Sequence, residues 1–331
     1  MPVSASRLRA GVVGAGFIGS LHARALMEHD GVEVIGICGR TAPKTEALAA
    51  RCGTDAYLSV AELLERAQPD LVTVGTGNDE HVEPTIQALE AGVHVFVEKP
   101  IAFHVEQARA LVETADRHGK SLGVNFNHRF SEPYRRALAF RDEGELGELA
   151  YVDMKFAGDL YKDLNDPYCM LIETQGHAFD LMRLFGGEIA EVSAFLSDPR
   201  GIGVYTSAAV SVRFDNGAVG SLIGSWDSSY AHPTAQVLEA SGTRGRLEVE
   251  NVVDAVRLYH HDDAAFVEWR PGIFDTAARD FWRTIDVHLG RFVDAVVAGH
   301  DPPVTGQDGV RALELTYAAI RSFEQGRPTQ P

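Results

Sequence analysis

Cysteine is scarce in this chain: Cys38, Cys52 and Cys169 are the only three in 331 residues. An odd number, widely spaced and without a CxxC pair, builds no disulfide framework, so a reducing, cytoplasmic compartment is expected. Basic residues are in short supply as well. Against 47 acidic side chains stand 30 lysines and arginines, a formal net charge of −17. Such a surface repels phosphate backbones at long range, and nucleic acid is not an expected partner. Long apolar runs are missing too. Arg7 and Arg9 precede a stretch that is short and broken by glycines, which fits neither a signal peptide nor a membrane span. No targeting segment and no membrane partner are therefore expected. Internal repeats, low-complexity tracts and long linkers are also lacking. What remains is ordinary globular usage, 45 % hydrophobic and 23 % charged, in a chain long enough for two domains.

The first third alternates strand-like and helix-like patterns. RAGVV (9–13), VEVIGIC (32–38), DLVTVGT (70–76), VHVFVE (93–98) and SLGVNF (121–126) are compact β-rich runs. Helical patterns lie between them. Ser59 to Glu62 forms a capping box, and Gly31, Gly53, Gly92 and Gly119 stand where helices should stop. Strand and helix repeated in this way predict a parallel sheet covered on both faces, an α/β doubly wound domain over residues 1–124. After residue 145 strand follows strand, with Asp215, Asn216 and Gly217 as a hairpin signal. One long helix, 171–185, interrupts the strands and two more close the chain. Residues 125–331 are therefore expected to form an α+β domain with a largely antiparallel, open-faced sheet. The bare face of such a sheet needs cover, which favours a homodimer or homotetramer.

Four loops carry the cofactor chemistry. Gly14, Gly16 and Gly19 spell G-x-G-x-x-G directly after a strand and at the start of a helix. That context suits a dinucleotide: a tight turn, close backbone approach to pyrophosphate, and amides at a helix N-terminus. Phe17 and Ile18 complete the loop. At the end of the second strand an acid would hold the ribose 2′-hydroxyl of NAD, but the chain reads Gly39, Arg40, Thr41. Arg40, helped by Thr41 or Lys44, is instead suited to a 2′-phosphate, so NADP is expected in preference to NAD. In an open parallel sheet ligands bind beyond the carboxyl ends of the strands. TGNDEH (76–81), with Thr76, Asn78 and His81, and the segment Glu98, Lys99, Pro100 leave from that same end and add cofactor contacts at Thr76, Asn78, His81, Glu98 and Lys99. A residue before proline is confined to extended conformations, so Lys99 is aimed rather than free.

Taken together, GVVGAGFIGSLHARAL, TGNDEHVEPTIQALEAGVHVFVEKP, NHRFSEP and PPVTGQDGVRALELTYAAIRS resemble the Gfo/Idh/MocA oxidoreductases over nearly the whole chain. The glycine pattern alone is common to many families; its combination with E-K-P at this distance is far more specific. The resemblance implies an N-terminal Rossmann domain and a C-terminal α+β domain with an open sheet used for oligomerisation. It also places the lysine of E-K-P, here Lys99, in the active site. The family usually carries D-x-x-x-H in the second domain; here Glu173 and His177 occupy that spacing, followed by Asp180. Separations of four and three put the three on one helical face. A polar stripe on an apolar helix reads as catalytic, as a surface salt-bridge pattern, or as a metal site that lacks an evident third ligand. No metal is expected. Glu173 in place of aspartate, Gln175 where glycine is common and LNDPYCML without the usual glycine run bear on the substrate rather than the reaction.

The function expected is hydride transfer between NAD(P) and a sugar, polyol, cyclitol or sugar-derived carbonyl. His177 is the candidate general acid/base, Lys99 the donor to the reacting oxygen, and Glu173 the residue that orients His177 or a neighbouring hydroxyl. Asn125, Arg129, Tyr161, Lys162 and Asp180 are weaker substrate candidates. Two alternatives are a non-catalytic NADP-sensing regulator and an enzyme that uses bound NAD for transient oxidation, of the glycosidase or epimerase type. HHDD at 260–263 is read as a solvated hairpin turn.

Overall fold

The computed structural model describes residues 7–159, 164 and 166–331. Six parallel strands, β1 (Leu8–Val13), β2 (Val32–Cys38), β3 (Asp55–Tyr57), β4 (Leu71–Val74), β5 (His94–Val97) and β6 (Leu122–Val124), form one sheet in the order β3-β2-β1-β4-β5-β6. The helices α1 (Phe17–Met27), α2 (Ala42–Cys52), α3 (Val60–Ala67), α4 (Val82–Glu90) and α5 (Val105–His118) alternate with them. The interior strands are apolar at consecutive positions because both faces are covered: every residue of β4 is buried. Two helices stop at their predicted glycines, with Gly53 and Gly119 left-handed at φ 66° and 61°, whereas Glu28 caps α1 ahead of Gly31 and Ala91 caps α4 ahead of Gly92. Ser59 accepts from the Glu62 amide at the start of α3. The strand β3 has no counterpart among the sequence-predicted runs. It is three residues long, begins with Asp55 and pairs only with β2 at the sheet edge, so it carries no apolar signal.

The second sheet has eight strands: β7 (Leu149–Ala157), β8 (Ile189–Ser197), β9 (Ser207–Phe214), β10 (Val219–Ser225), β11 (Gln236–Gly242), β12 (Gly245–Glu250), β13 (Ala255–His260) and β14 (Phe266–Trp269). Their order is β14-β13-β12-β11-β7-β10-β9-β8, and all neighbours are antiparallel except β7 and β10. Alternation is clear in β9, where Ala208, Val210, Val212 and Phe214 are buried and Ala209, Ser211 and Arg213 face outward. On that side Phe195, Val219 and Ile223 are exposed. The helices of this half of the chain are α6 (Glu132–Asp142), α7 (Gly176–Gly186), α8 (Thr276–Arg279), α9 (Arg283–Ala298) and α10 (Gly306–Gln325). Of these, α7 lies against β7.

The division of the chain differs from a cut at 124/125. One unit comprises the residues up to Asn127 together with Trp282–Val310; the other comprises His128–Phe281 and Arg311–Pro331. The reason is the apolar face of α9. Leu289, Phe292 and Val293 belong to the same buried cluster as Ala10, Val12, Leu26 and Phe96. Phe292 lies over Gly123 of β6, where an added Cβ would come within 2.6 Å of its ring. A helix distant in sequence thus completes the first core, which local periodicity does not reveal. Among the described residues no helix is long and apolar enough to cross a membrane.

Candidate active site

In the first unit the glycine loop divides its labour by position. Gly14 has φ 115°, and a Cβ there would meet the Gly75 carbonyl oxygen at 2.4 Å. A Cβ on Gly19 would lie 1.7 Å from the Gly14 carbonyl oxygen, so the third glycine lets α1 pack on the turn. Gly16 has nothing within 4 Å of its missing Cβ. That open approach, with the α1 N-terminus starting at Phe17, fits a pyrophosphate. Phe17 is exposed and meets the Trp282 ring edge-on, and Ile18 is half-buried. At the end of β2, Arg40, Thr41 and Lys44 are exposed. Arg40 is not solitary: Glu80 pairs with its guanidinium at 2.6 Å. The acid missing from β2 therefore arrives from the loop after β4, where Thr76 donates to the Glu80 carbonyl and Asn78 is half-buried. Sequence reading, tied to the β2 position, missed it.

Lys99 sits on a segment gripped from both sides. Before it, Glu98 is buried and accepts from His22 Nε2 at 3.0 Å and Asn125 Nδ2 at 2.6 Å. His288 of α9 donates through Nδ1 to Asn125 Oδ1 at 2.9 Å. After it, the Pro100 carbonyl lies 2.7 Å from His81 Nδ1; the Lys99–Pro100 bond is cis. His81 is wholly buried, and that burial holds it below the usual imidazole range, so it donates as a neutral ring. Burial alone would push the Glu98 carboxyl up, but hydrogen bonds from His22 and Asn125 and the nearby charges outweigh it, and Glu98 stays below the ordinary carboxylate range. His81 and Glu98, expected as cofactor contacts, and Asn125, expected as a substrate group, thus also have partners within the protein. All three are interior and hold the Lys99 segment, whereas Lys99 itself is half-buried. His22 and His288 were not singled out from sequence; each lies within an apolar helical pattern with nothing local to mark it.

In the second unit the predicted helix over 171–185 is broken. Met170–Thr174 is a π turn and α7 begins only at Gly176. Glu173 and His177 thus do not share one regular helical face, although both are buried; insertions of this kind often mark functional positions. Gln175 is buried, donates to the Phe156 carbonyl, and is accommodated by Gly224, where a Cβ would come within 2.6 Å of its amide. Arg129 holds Asp180 with two hydrogen bonds, the Nε one at 2.7 Å, both side chains being buried or nearly so. Both members of this pair are residues expected to meet substrate. His128, which sequence reading passed over, stacks on His177 with ring centroids 3.9 Å apart and planes 4° from parallel. Tyr161 and Lys162 lie outside the described residues. His260 closes β13 and the turn to β14 begins at His261, with His260 on Glu145 and His261 on the Gly242 carbonyl. Among the described residues no three His, Cys, Asp or Glu side chains gather as a metal site.

Both parts of the chain match known protein families. Residues 8–126 match the model of the oxidoreductase family with an NAD-binding Rossmann fold, and residues 134–248 match the GFO/IDH/MocA C-terminal domain. The chain belongs to the GFO/IDH/MocA oxidoreductases. Among its relatives, a myo-inositol 2-dehydrogenase of Thermotoga maritima is 27% identical over 342 residues, covering 97% of each chain. A scyllo-inositol 2-dehydrogenase (NAD(+)) of Bacillus subtilis is 28% identical over 343 residues, covering 98% of this chain and 96% of the relative. The solved structure of an oxidoreductase from Agrobacterium radiobacter, in complex with NAD+, L-tartaric acid and magnesium, superposes with a TM-score of 0.88. At 20% identity over 98% of both chains, that likeness speaks to the fold. As a GFO/IDH/MocA member the protein is an NAD-binding oxidoreductase. The glycine loop, with its open approach at Gly16, is the part of the first unit suited to that nucleotide.

Proposed function

We propose that the protein oxidises a secondary alcohol of a sugar, polyol or cyclitol, or reduces the corresponding carbonyl. The observation that carries the reading is the double anchoring of the Lys99 segment, by His22 and Asn125 on Glu98 and by His81 on Pro100. Four interior polar side chains are a costly way to place a strand end, and a worthwhile one for aiming an ammonium. Names of the inositol dehydrogenase relatives support the substrate class. When bound, the nicotinamide supplies the hydride acceptor or donor. Lys99 donates to the reacting oxygen and stabilises developing alkoxide charge, His177 takes or returns the hydroxyl proton, and Glu173 orients His177 or a neighbouring hydroxyl.

On the cofactor, the proposal is a modest preference for NADP. Neutral Gly39 removes repulsion and Arg40 supplies attraction. The exposed position and the competing Glu80 limit the gain to roughly 1 kcal/mol, about fivefold in affinity. The unpaired cysteines Cys38, Cys52 and Cys169 support a cytoplasmic setting, and the outward apolar residues of the second sheet support a homodimer or homotetramer. Incubating the protein with myo-inositol and a polyol panel, with NAD+ and NADP+ in parallel, and following reduced-nicotinamide absorbance, tests the reading. Turnover is expected on at least one cyclic polyol. Absence of any net reduction, with both nucleotides bound, would leave the regulator or transient-oxidation alternative in its place.

A further inference from the structure

The turn Asn127–Phe130 does more than connect β6 to α6. Two consecutive side chains from it, His128 and Arg129, reach two positions one helical turn apart on α7, His177 and Asp180. Arg129 takes Asp180 by its carboxylate. His128 takes His177 by its face, at 3.9 Å and nearly parallel. The His128 ring is itself fixed: Phe281 meets it edge-on at 5.4 Å, and Phe156 lies tilted beneath it at 5.9 Å and beneath His177 at 6.4 Å. Both imidazoles are almost without solvent access, at 2% and 5%.

We propose that His128 is a positioning residue that holds the plane of His177 by stacking and whose π-face stabilises the charge His177 acquires when it takes the substrate proton. The proposal rests on the reading of His177 as the general acid/base. His177 is the second residue of α7, in its first turn, and an imidazole there has rotational freedom about two side-chain bonds unless a neighbour removes it. A flat ring wedged against Phe281 and Phe156 removes that freedom through its face, leaving the ring nitrogens of His177 to other partners. When His177 accepts the hydroxyl proton, its new positive charge lies over the π-face of a neutral ring, which attracts it. A charged neighbour would repel it, so the arrangement is suited to a ring that stays neutral while His177 cycles. The essential property of His128 is then its flat aromatic face, and not its ability to titrate.

That distinction sets the experiment. His128→Phe keeps a flat face of similar size; His128→Met fills the volume without one. In the cofactor-free protein, selectively labelled at histidine, the His177 ring protons are expected to be shifted upfield by the stacked ring, to stay so in His128→Phe, and to move back in His128→Met. On myo-inositol, or the best polyol of the panel, His128→Met is expected to lower kcat about tenfold with NADH affinity unchanged. His128→Phe should remain within about threefold of the parent. In His128→Met/His177→Ala, kcat should be no lower than in His177→Ala alone, since His128 acts only through His177. An unshifted His177 resonance overturns the proposal, as does a His128→Phe variant that is folded yet as slow as His128→Met. If His177→Ala is slow while His128→Met is normal, the stack is irrelevant and the His177 reading survives. If His177→Ala itself turns over normally, the general-base reading fails and the stack loses its role with it.

Discussion

At the residue scale the decisive contrast is between groups that are aimed and groups that do the aiming. Lys99 is the aimed group. Lys99→Met is expected to keep nucleotide binding almost intact while lowering kcat by roughly 10² to 10⁴, the span of a positioned proton-transfer or oxyanion group. Fluorescence titration and steady-state rates together check this, and near-normal turnover would reduce Lys99 to a strand end. Combined with His177→Ala, the loss should fall short of the product of the single losses if both serve one oxygen. Glu98 is an aiming group with a signature in acid. Because its folded form sits below the ordinary carboxylate range, its contribution is full above that range and disappears as the pH falls through the folded value. Melting temperatures of the parent and Glu98→Gln should thus differ most near neutrality and converge on acidification; parallel curves would contradict the assignment. Arg40 and Glu80 form the third pair. Arg40→Ala should abolish any preference for NADPH over NADH, and Glu80→Gln should widen it severalfold by releasing the guanidinium. Titration with both reduced nucleotides would show an unchanged ratio if neither residue faces the 2′ position.

At the scale of elements, α9 is the piece that sequence adjacency conceals. Its Phe292 is fully buried, 5.3 Å from the Phe96 ring, and presses on Gly123. Phe292→Ala removes that filling and should destabilise the first unit by about 3–5 kcal/mol, measured by denaturant unfolding. His288, one turn earlier on the same helix, reaches Asn125 and through it Glu98. A fragment ending at Asn127 would lack both, and is expected to give neither cooperative unfolding nor nucleotide binding. A folded, binding-competent fragment would show that α9 is dispensable. The π turn at Met170–Thr174 teaches a related lesson. A separation of four from Glu173 to His177 puts them on one face only in a regular helix, and the extra backbone in that turn changes the register the count relies on.

At the scale of the whole molecule, the outward face of the eight-stranded sheet is the feature that the single chain leaves unexplained. Phe195 of β8 is 77% exposed, and Val219 and Ile223 are about half exposed on β10, at the other side of β9. Interspersed charges such as Arg213, paired with Glu191, keep the face soluble without making it polar throughout. Light scattering at micromolar concentration is expected to give two or four chain masses, and Ile223→Asp to shift the distribution toward one. A monomeric parent protein would refute a role for this face in self-association.

The sequence by itself determined the parallel sheet, the glycine loop, the Glu98-Lys99-Pro100 exit and the strand-rich second half. Each is written in consecutive residues, as an apolar run, a period or a turn signal, and each follows from local geometry. Only the tertiary structure decided what the interior polar residues do. His22, His81, Asn125 and His288 come from α1, the loop after β4, the end of β6 and α9, and His128 from a connecting turn. Their roles depend on contacts between segments separated by 19 to 163 residues. A lone buried histidine has no periodic signature, because what satisfies it lies elsewhere in the chain. The same reason hid Glu80 behind the neutral end of β2 and gave Asp180 to Arg129. Local pattern specifies elements; polar pairing inside the core is settled only when those elements meet.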